Sequence, residues 1–232
     1  MPYRRLPKTD AARLKALKTV LDNNDIYTAR NRFISWDVIN RAQPAYDRLL
    51  TASEQYRLSY SAQLRGAGKI DKLQHNATMY VSHFLQVLMM AVERGEIKKS
   101  ALSLYGLAED ASSLPNMKAA GALLKWGRLA VEGEMARVKS GGRPIYNPTI
   151  GMVNTHLDIF KDCYDKQKSL QERTAKAQDA LKRIRPEVDG ILLELWNQIE
   201  ENFKDEPPGE RLEQCRRFGV VYYYRKNEKN NE

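Results

Sequence analysis

The chain has 232 residues, 42% of them hydrophobic, and 38 Lys and Arg against 29 Asp and Glu give it a formal charge of +9. This apolar fraction suits a soluble folded domain and excludes a collagenous or wholly disordered chain, while two distant cysteines, Cys163 and Cys215, exclude a disulfide scaffold. The charge is uneven: residues 1–100 carry 17 basic and 9 acidic side chains, residues 101–232 carry 21 and 20, a bias that serves solubility or attracts polyanions.

A first helix is predicted over residues 9–22. Thr9-Asp10 offers its N-cap, and Leu14, Leu17 and Leu21 recur at spacings of three and four while Arg13, Lys15 and Lys18 turn elsewhere. Residues 36–94 are predicted as a first hairpin. Ser35 can cap its opening helix, whose stripe is Ile39, Ala42, Tyr46, Leu49, Ser53, Tyr56, Tyr60 and Leu64, with Pro44 marking a kink or a later start. An unbroken helix from Trp36 to Arg94 would be about 88 Å long, so Gly66-Ala67-Gly68 is expected to turn the chain. The returning helix shows Ile70, Leu73, Ala77, Tyr80, Phe84, Leu88 and Val92 on one side.

Residues 95–116 read as a connector with one helical turn at Ala101–Tyr105. A middle helix follows over 117–140. Its Gly121, Gly127 and Gly133 each cost about 1 kcal/mol relative to alanine and so mark close approach of a neighbour. Gly141-Gly142 closes it, and Asn147-Pro148 opens a second hairpin over 148–204. That hairpin carries Ile150, Val153, Leu157, Phe160 and Tyr164 before a polar stretch from Lys166 to Lys176. Leu181, Ile184, Val188, Ile191, Leu195, Ile199 and Phe203 follow, with Pro186 as a kink or fresh start. Residues 208–224 are predicted as a short helix ending at Gly219 and a strand at Val220–Tyr224, and residues 225–232 as a disordered tail.

Shifting the third helix by 111 positions lays its apolar residues on those of Leu181 to Phe203, and a shift of 114 lays Ile39-Asn40 on Val153-Asn154. Either two amphipathic helices have been phased together by chance, or one hairpin is duplicated. The expected fold is mainly α: one domain, an antiparallel bundle of long helices, with a duplicated αα-hairpin as one of the two readings above, and a minor C-terminal β-strand.

No signal peptide precedes the first helix, and the longest apolar stretch, Phe84 to Val92, falls short of the roughly 20 residues a membrane span requires. A soluble, cytoplasmic protein with reduced thiols is therefore expected. Reactive motifs are sparse. Lys72, Tyr80 and Val153 stand three residues before His75, His83 and His156, so no Glu-x-x-His metal pair forms. Gly66-Ala67-Gly68-Lys69-Ile70 lacks the spacing of a phosphate loop and reads as a turn. Gly141-Gly142-Arg143-Pro144 with Asn147-Pro148-Thr149 offers amides and an arginine to an anion, though a C-cap followed by an N-cap explains the same residues. Glu132, Glu134 and Arg137 at helical spacing read as a solvated face, and Glu194, Glu200 and Glu201 flank the Leu195-Trp196 stripe. No catalytic residue, cofactor or metal is assigned.

The terminal strand needs a partner for its backbone groups: the Pro2–Leu6 segment, a second copy, or another protein. Alternation exposes at least one ring of Tyr222-Tyr223-Tyr224. Arg4, Arg5, Arg143, Tyr222, Tyr223, Tyr224 and Arg225 are thus the candidate interaction residues. The leading functional expectation is a non-enzymatic interaction or scaffolding protein with a protein partner or as a homo-oligomer. A nucleic-acid-associated protein using its basic N-terminal half is the alternative, and an enzyme with an unrecognised site the second.

The opening Pro2-Tyr3-Arg4-Arg5-Leu6-Pro7 with Thr9-Asp10, the Trp126-Gly127 and Gly133-Glu134 helix, the Gly141-Gly142 to Asn147-Pro148-Thr149-Ile150 junction and the tyrosines after Gly219-Val220-Val221 together resemble an uncharacterised all-helical protein family of Bacteroidales bacteria. The resemblance spans nearly the whole chain. It implies a helical fold and a bacterial origin, and carries over no catalytic residue.

Overall fold

A computed structural model of the chain describes residues 2–23 and 33–224. Among them the chain is mainly α, in the order β1 (Tyr3–Arg4), α1 (Asp10–Leu21), α2 (Trp36–Ala67), α3 (Ile70–Glu93), a 3₁₀ segment (Lys99–Tyr105), α4 (Ala120–Lys139), α5 (Ile150–Asn202), α6 (Pro208–Arg217) and β2 (Tyr222–Tyr223). The predicted tail at 225–232 lies outside the described residues.

Local chemistry sets most boundaries. Thr9 caps α1, its Oγ1 accepting the Ala12 N–H at 3.2 Å. The glycine turn falls where expected, α2 ending at Ala67 and α3 starting at Ile70. Pro44 lies inside α2, which begins at Trp36, so the later start is not found. The N-cap of α5 is Thr149 rather than Asn147: Thr149 Oγ1 accepts the Met152 N–H at 3.2 Å and its carbonyl accepts the Val153 N–H. Gly219 terminates the segment after α6 with φ +81°, a value glycine adopts without strain.

The second hairpin is corrected. α5 is one helix of 53 residues, because no glycine or proline interrupts residues 152–185 and the Lys, Gln, Glu and Arg of 166–176 are good helix formers. Their polarity marks a solvated stretch, not a turn. A duplicated hairpin falls with it, since the matched stripes occupy two helices in one case and a single helix in the other.

The expected long helices packed against one another are found, and they divide into two compact units, Met1–Tyr60 with Arg173–Glu232, and Ser61–Glu172. The first has a core of α1, α2, the C-terminal part of α5 and α6, centred on Leu17, Val20, Leu49, Leu195, Trp196 and Ile199. Phe33, Phe203 and Phe218 close one side of it, with ring centroids 5.3–5.9 Å apart. The second core is built by α3, the 3₁₀ segment, α4 and the N-terminal part of α5, around Phe84, Leu88, Tyr105, Leu123, Val153 and Phe160. The apolar faces of α2 and α3 thus enter different cores, so residues 36–94 are not a hairpin sharing one interior. The stripe predicted to continue along α2 fades after Ala52, leaving Tyr60 and Leu64 exposed.

Two of the three glycines of α4 mark close approach. A Cβ on Gly127 would stand 2.5 Å from Leu157 Cδ1, and one on Gly133 would stand 2.7 Å from Tyr105 Cδ1 and 2.8 Å from the Leu104 carbonyl oxygen, whereas Gly121 faces open space. Among the described residues no helix is long and apolar enough to cross a membrane.

Candidate functional site

The two ends of the chain meet in the first unit. β1 and β2 pair antiparallel in the register Tyr3↔Tyr223 and Arg4↔Tyr222, and the Arg5 N–H donates to the Val221 carbonyl at 3.2 Å. Intramolecular pairing is therefore what satisfies the lone terminal strand. The turn before it sits tightly on α1: a Cβ on Gly219 would stand 3.1 Å from Thr19 Cβ and 3.2 Å from the Ala16 carbonyl oxygen.

Alternation along the ribbon sorts the side chains. Arg4 and Tyr222 turn towards α5. Arg4 donates to Glu200 Oε2 at 2.9 Å and to Asn197 Oδ1 at 2.7 Å, and the Tyr222 hydroxyl donates to Glu200 Oε1 at 2.5 Å. Burial, then the bond to Glu200, pushes the Tyr222 phenol pKa upward, so it remains a neutral donor. Tyr3 and Tyr223 occupy the other face, 43% and 46% exposed. Their ring centroids are 6.3 Å apart, and the Arg5 guanidinium lies 6.0 Å from the Tyr223 centroid.

Between this ribbon and α1 runs a groove of about 620 Å³. Arg5, Lys8, Lys15 and Arg216 line it, and no carboxylate does. All four cations are exposed, and among the described residues none has an ion-pair partner. Apolar walls come from Leu6, Ala12, Ala16 and Val221.

Several other arginines of the first half are matched to acids. Arg13 donates to both oxygens of Asp189, at 2.7 and 2.8 Å, and Asp10 accepts two bonds from Arg185 at 2.8 Å. Arg41 pairs with Asp37 and Glu194, and Arg48 with Glu187. The expectation that Arg13 faces away from the core is thereby corrected: it is buried because Asp189 on α5 meets it. Four arginines of the first hundred residues, Arg4, Arg13, Arg41 and Arg48, are thus paired with acids of α5.

Of the candidate interaction residues, Arg5, Tyr222 and Tyr223 line this groove. Arg4 is engaged with Glu200 and Asn197, Tyr224 lies one residue beyond β2, and Arg225 is outside the described residues. Arg143 is exposed in the second unit. Lys8, Lys15, Arg216 and Tyr3 were not singled out from the sequence. Lys8 precedes the Thr9 cap and Lys15 lies on α1, so no helical periodicity joins them in the sequence.

In the second unit, Glu134 and Arg137 form a buried network rather than a solvated face. Glu134 is 1% exposed and Arg137 9%. Glu134 accepts from the Tyr105 hydroxyl at 2.5 Å, from Arg137 Nε at 2.9 Å and Nη2 at 2.8 Å, and from the Ile145 N–H at 2.9 Å. Arg137 also donates to the Arg143 carbonyl at 2.7 Å. Burial alone would raise the Glu134 pKa, but its bonds to Arg137, Tyr105 and Ile145 outweigh that and hold it below the usual carboxylate range. Burial and Glu134 push the Tyr105 phenol upward. With an ionised acid, a neutral phenol and a guanidinium, nothing in the network exchanges a proton near neutrality. It ties the 143–145 loop to α4 and the 3₁₀ segment. Glu132, by contrast, faces Arg128 on an exposed side, as expected.

The Gly141-Gly142 amides are spent on the C-cap, donating to the Val138 and Arg137 carbonyls at 3.0 and 3.1 Å, which removes them from an anion site. Glu194, Glu200 and Glu201 go to separate partners, Arg41, Arg4 and Lys204. His75 and His83 are exposed, and His156 stacks on Tyr80 with centroids 3.9 Å apart. The described residues contain no group of three or more His, Cys, Asp or Glu able to hold a metal ion. No protein-family model, curated protein or solved structure matches the chain.

Proposed function

We propose that this protein is a non-catalytic binding module that engages an anionic partner through the groove at its joined ends. One observation carries the reading: Arg5, Lys8, Lys15 and Arg216 converge on one groove without ion-pair partners, and no carboxylate lines it. Exposed, unpaired charges of one sign around a partly apolar groove raise the local potential and hold an oppositely charged ligand. Elution from an immobilised polyanion such as heparin tests it. Lys15→Glu with Arg216→Glu should elute at clearly lower salt than Lys72→Glu with Lys166→Glu, which changes net charge equally at exposed positions of the second unit. Identical elution of the two double variants removes the groove from the account.

A further inference from the structure

We infer that the ligand of this groove is a single-stranded nucleic acid, its phosphates lying along Arg5, Lys8, Lys15 and Arg216 and its bases stacking on Tyr3 and Tyr223. The inference rests on the groove being the binding surface and adds the class of ligand.

Charge alone does not choose between anions; the aromatic pair does. An acidic peptide would find the four cations but does not carry an aromatic face at every unit for the two exposed rings. A polynucleotide supplies both features, a regularly charged backbone and a π-face at every unit, and proteins that bind single strands combine a cationic groove with aromatic platforms in this way. Here the platform is built on a hydrogen-bonded ribbon. Tyr3 and Tyr223 are register partners with centroids 6.3 Å apart, and Arg5 lies over the edge of the pair, adding a guanidinium that also stacks on bases. The opposite face of the ribbon is anchored by Arg4 and Tyr222 on Glu200, which fixes the platform before any ligand arrives.

The test is fluorescence anisotropy with labelled oligo-dT and oligo-U of about 12 nucleotides over a range of salt. With up to four phosphates neutralised, log K should fall against log salt with a slope of about −3 or shallower. Lys15→Glu with Arg216→Glu should weaken binding about tenfold or more, and Lys72→Glu with Lys166→Glu should change it less than about twofold. Tyr3→Ala with Tyr223→Ala should cost about tenfold, and Tyr3→Phe with Tyr223→Phe should restore it; thermal melts confirm that each variant is folded. Equal loss in both charge-reversal pairs, or no effect of removing the rings, overturns the inference. So does binding of poly-glutamate as tight as that of the oligonucleotides, sensitive to the same lysine and arginine; in that event the anionic-partner reading stands without this one. If neither polymer binds at low salt, both fall.

Discussion

Each unit buries an arginine to nearly the same depth, Arg13 at 8% and Arg137 at 9% exposure, yet the two are held differently. Arg13 reaches across from α1 to Asp189 on α5, whose carboxylate is partly open to water, and keeps the Lys8 carbonyl and Asp10 as further acceptors. Arg137 meets a carboxylate three residues back on its own helix, and that carboxylate is buried with four donors. Water can replace a lost partner in the first case but not in the second. Depth of the cation is thus a poor guide to what its partner is worth; depth of the partner decides.

The contrast breaks first at Glu134. Glu134→Ala should destabilise the protein by about 3–5 kcal/mol, because a buried guanidinium and a phenol lose their acceptor together; urea unfolding reads it, and a cost below about 1 kcal/mol would show that solvent reaches the site. The same residue carries a pH signature. Its folded pKa lies below the unfolded one, so its contribution is complete above about pH 4.3 and is lost as pH falls through the folded value. Glu134→Gln should accordingly show a shallower loss of stability below about pH 4 than the wild type.

Gly133→Ala should follow, at about 2–3 kcal/mol, since the new methyl meets the Leu104 carbonyl and the Tyr105 ring that brings the phenol to Glu134. A thermal melt at wild-type temperature would mean that the 3₁₀ segment shifts freely. Asp189→Asn should cost about 1–2 kcal/mol, less than Glu134→Ala because Arg13 retains other acceptors. If calorimetry ranks these two the other way, the comparison fails. Smallest is Arg48→Ala, whose exposed pair with Glu187 should be worth less than about 1 kcal/mol and fade with salt.

Much of the helical framework was legible. Thr9 before an apolar spacing of three and four placed α1, the glycine turn placed the end of α2, and Gly127 and Gly133 announced the tight contacts of α4. The terminal strand declared its need for a partner, and Pro2–Leu6 supplied it. What failed was inference from polarity. Charged residues at 166–176 were compatible with a turn by composition, yet each is a helix former and nothing among them breaks a helix. Glu134 and Arg137 looked solvated by spacing, although a glycine adjoining Glu134 already implied a neighbour too close for water. The candidate groove was half visible, in Arg5 and Tyr223. Lys8, Lys15 and Arg216 gain meaning from tertiary structure, which brings them to one groove with Arg5 and without a carboxylate.

The joined ends also have a temporal consequence. One unit is assembled from the first sixty and the last sixty residues, whereas the other is a continuous stretch. On the ribosome the continuous unit can fold as it emerges, but the leading segment must wait for roughly 110 intervening residues, about 5–20 s at ordinary elongation speeds. During that delay Arg13, Arg41 and Arg48 have not yet met their α5 carboxylates, so the nascent chain displays its full N-terminal positive charge only while it is being made.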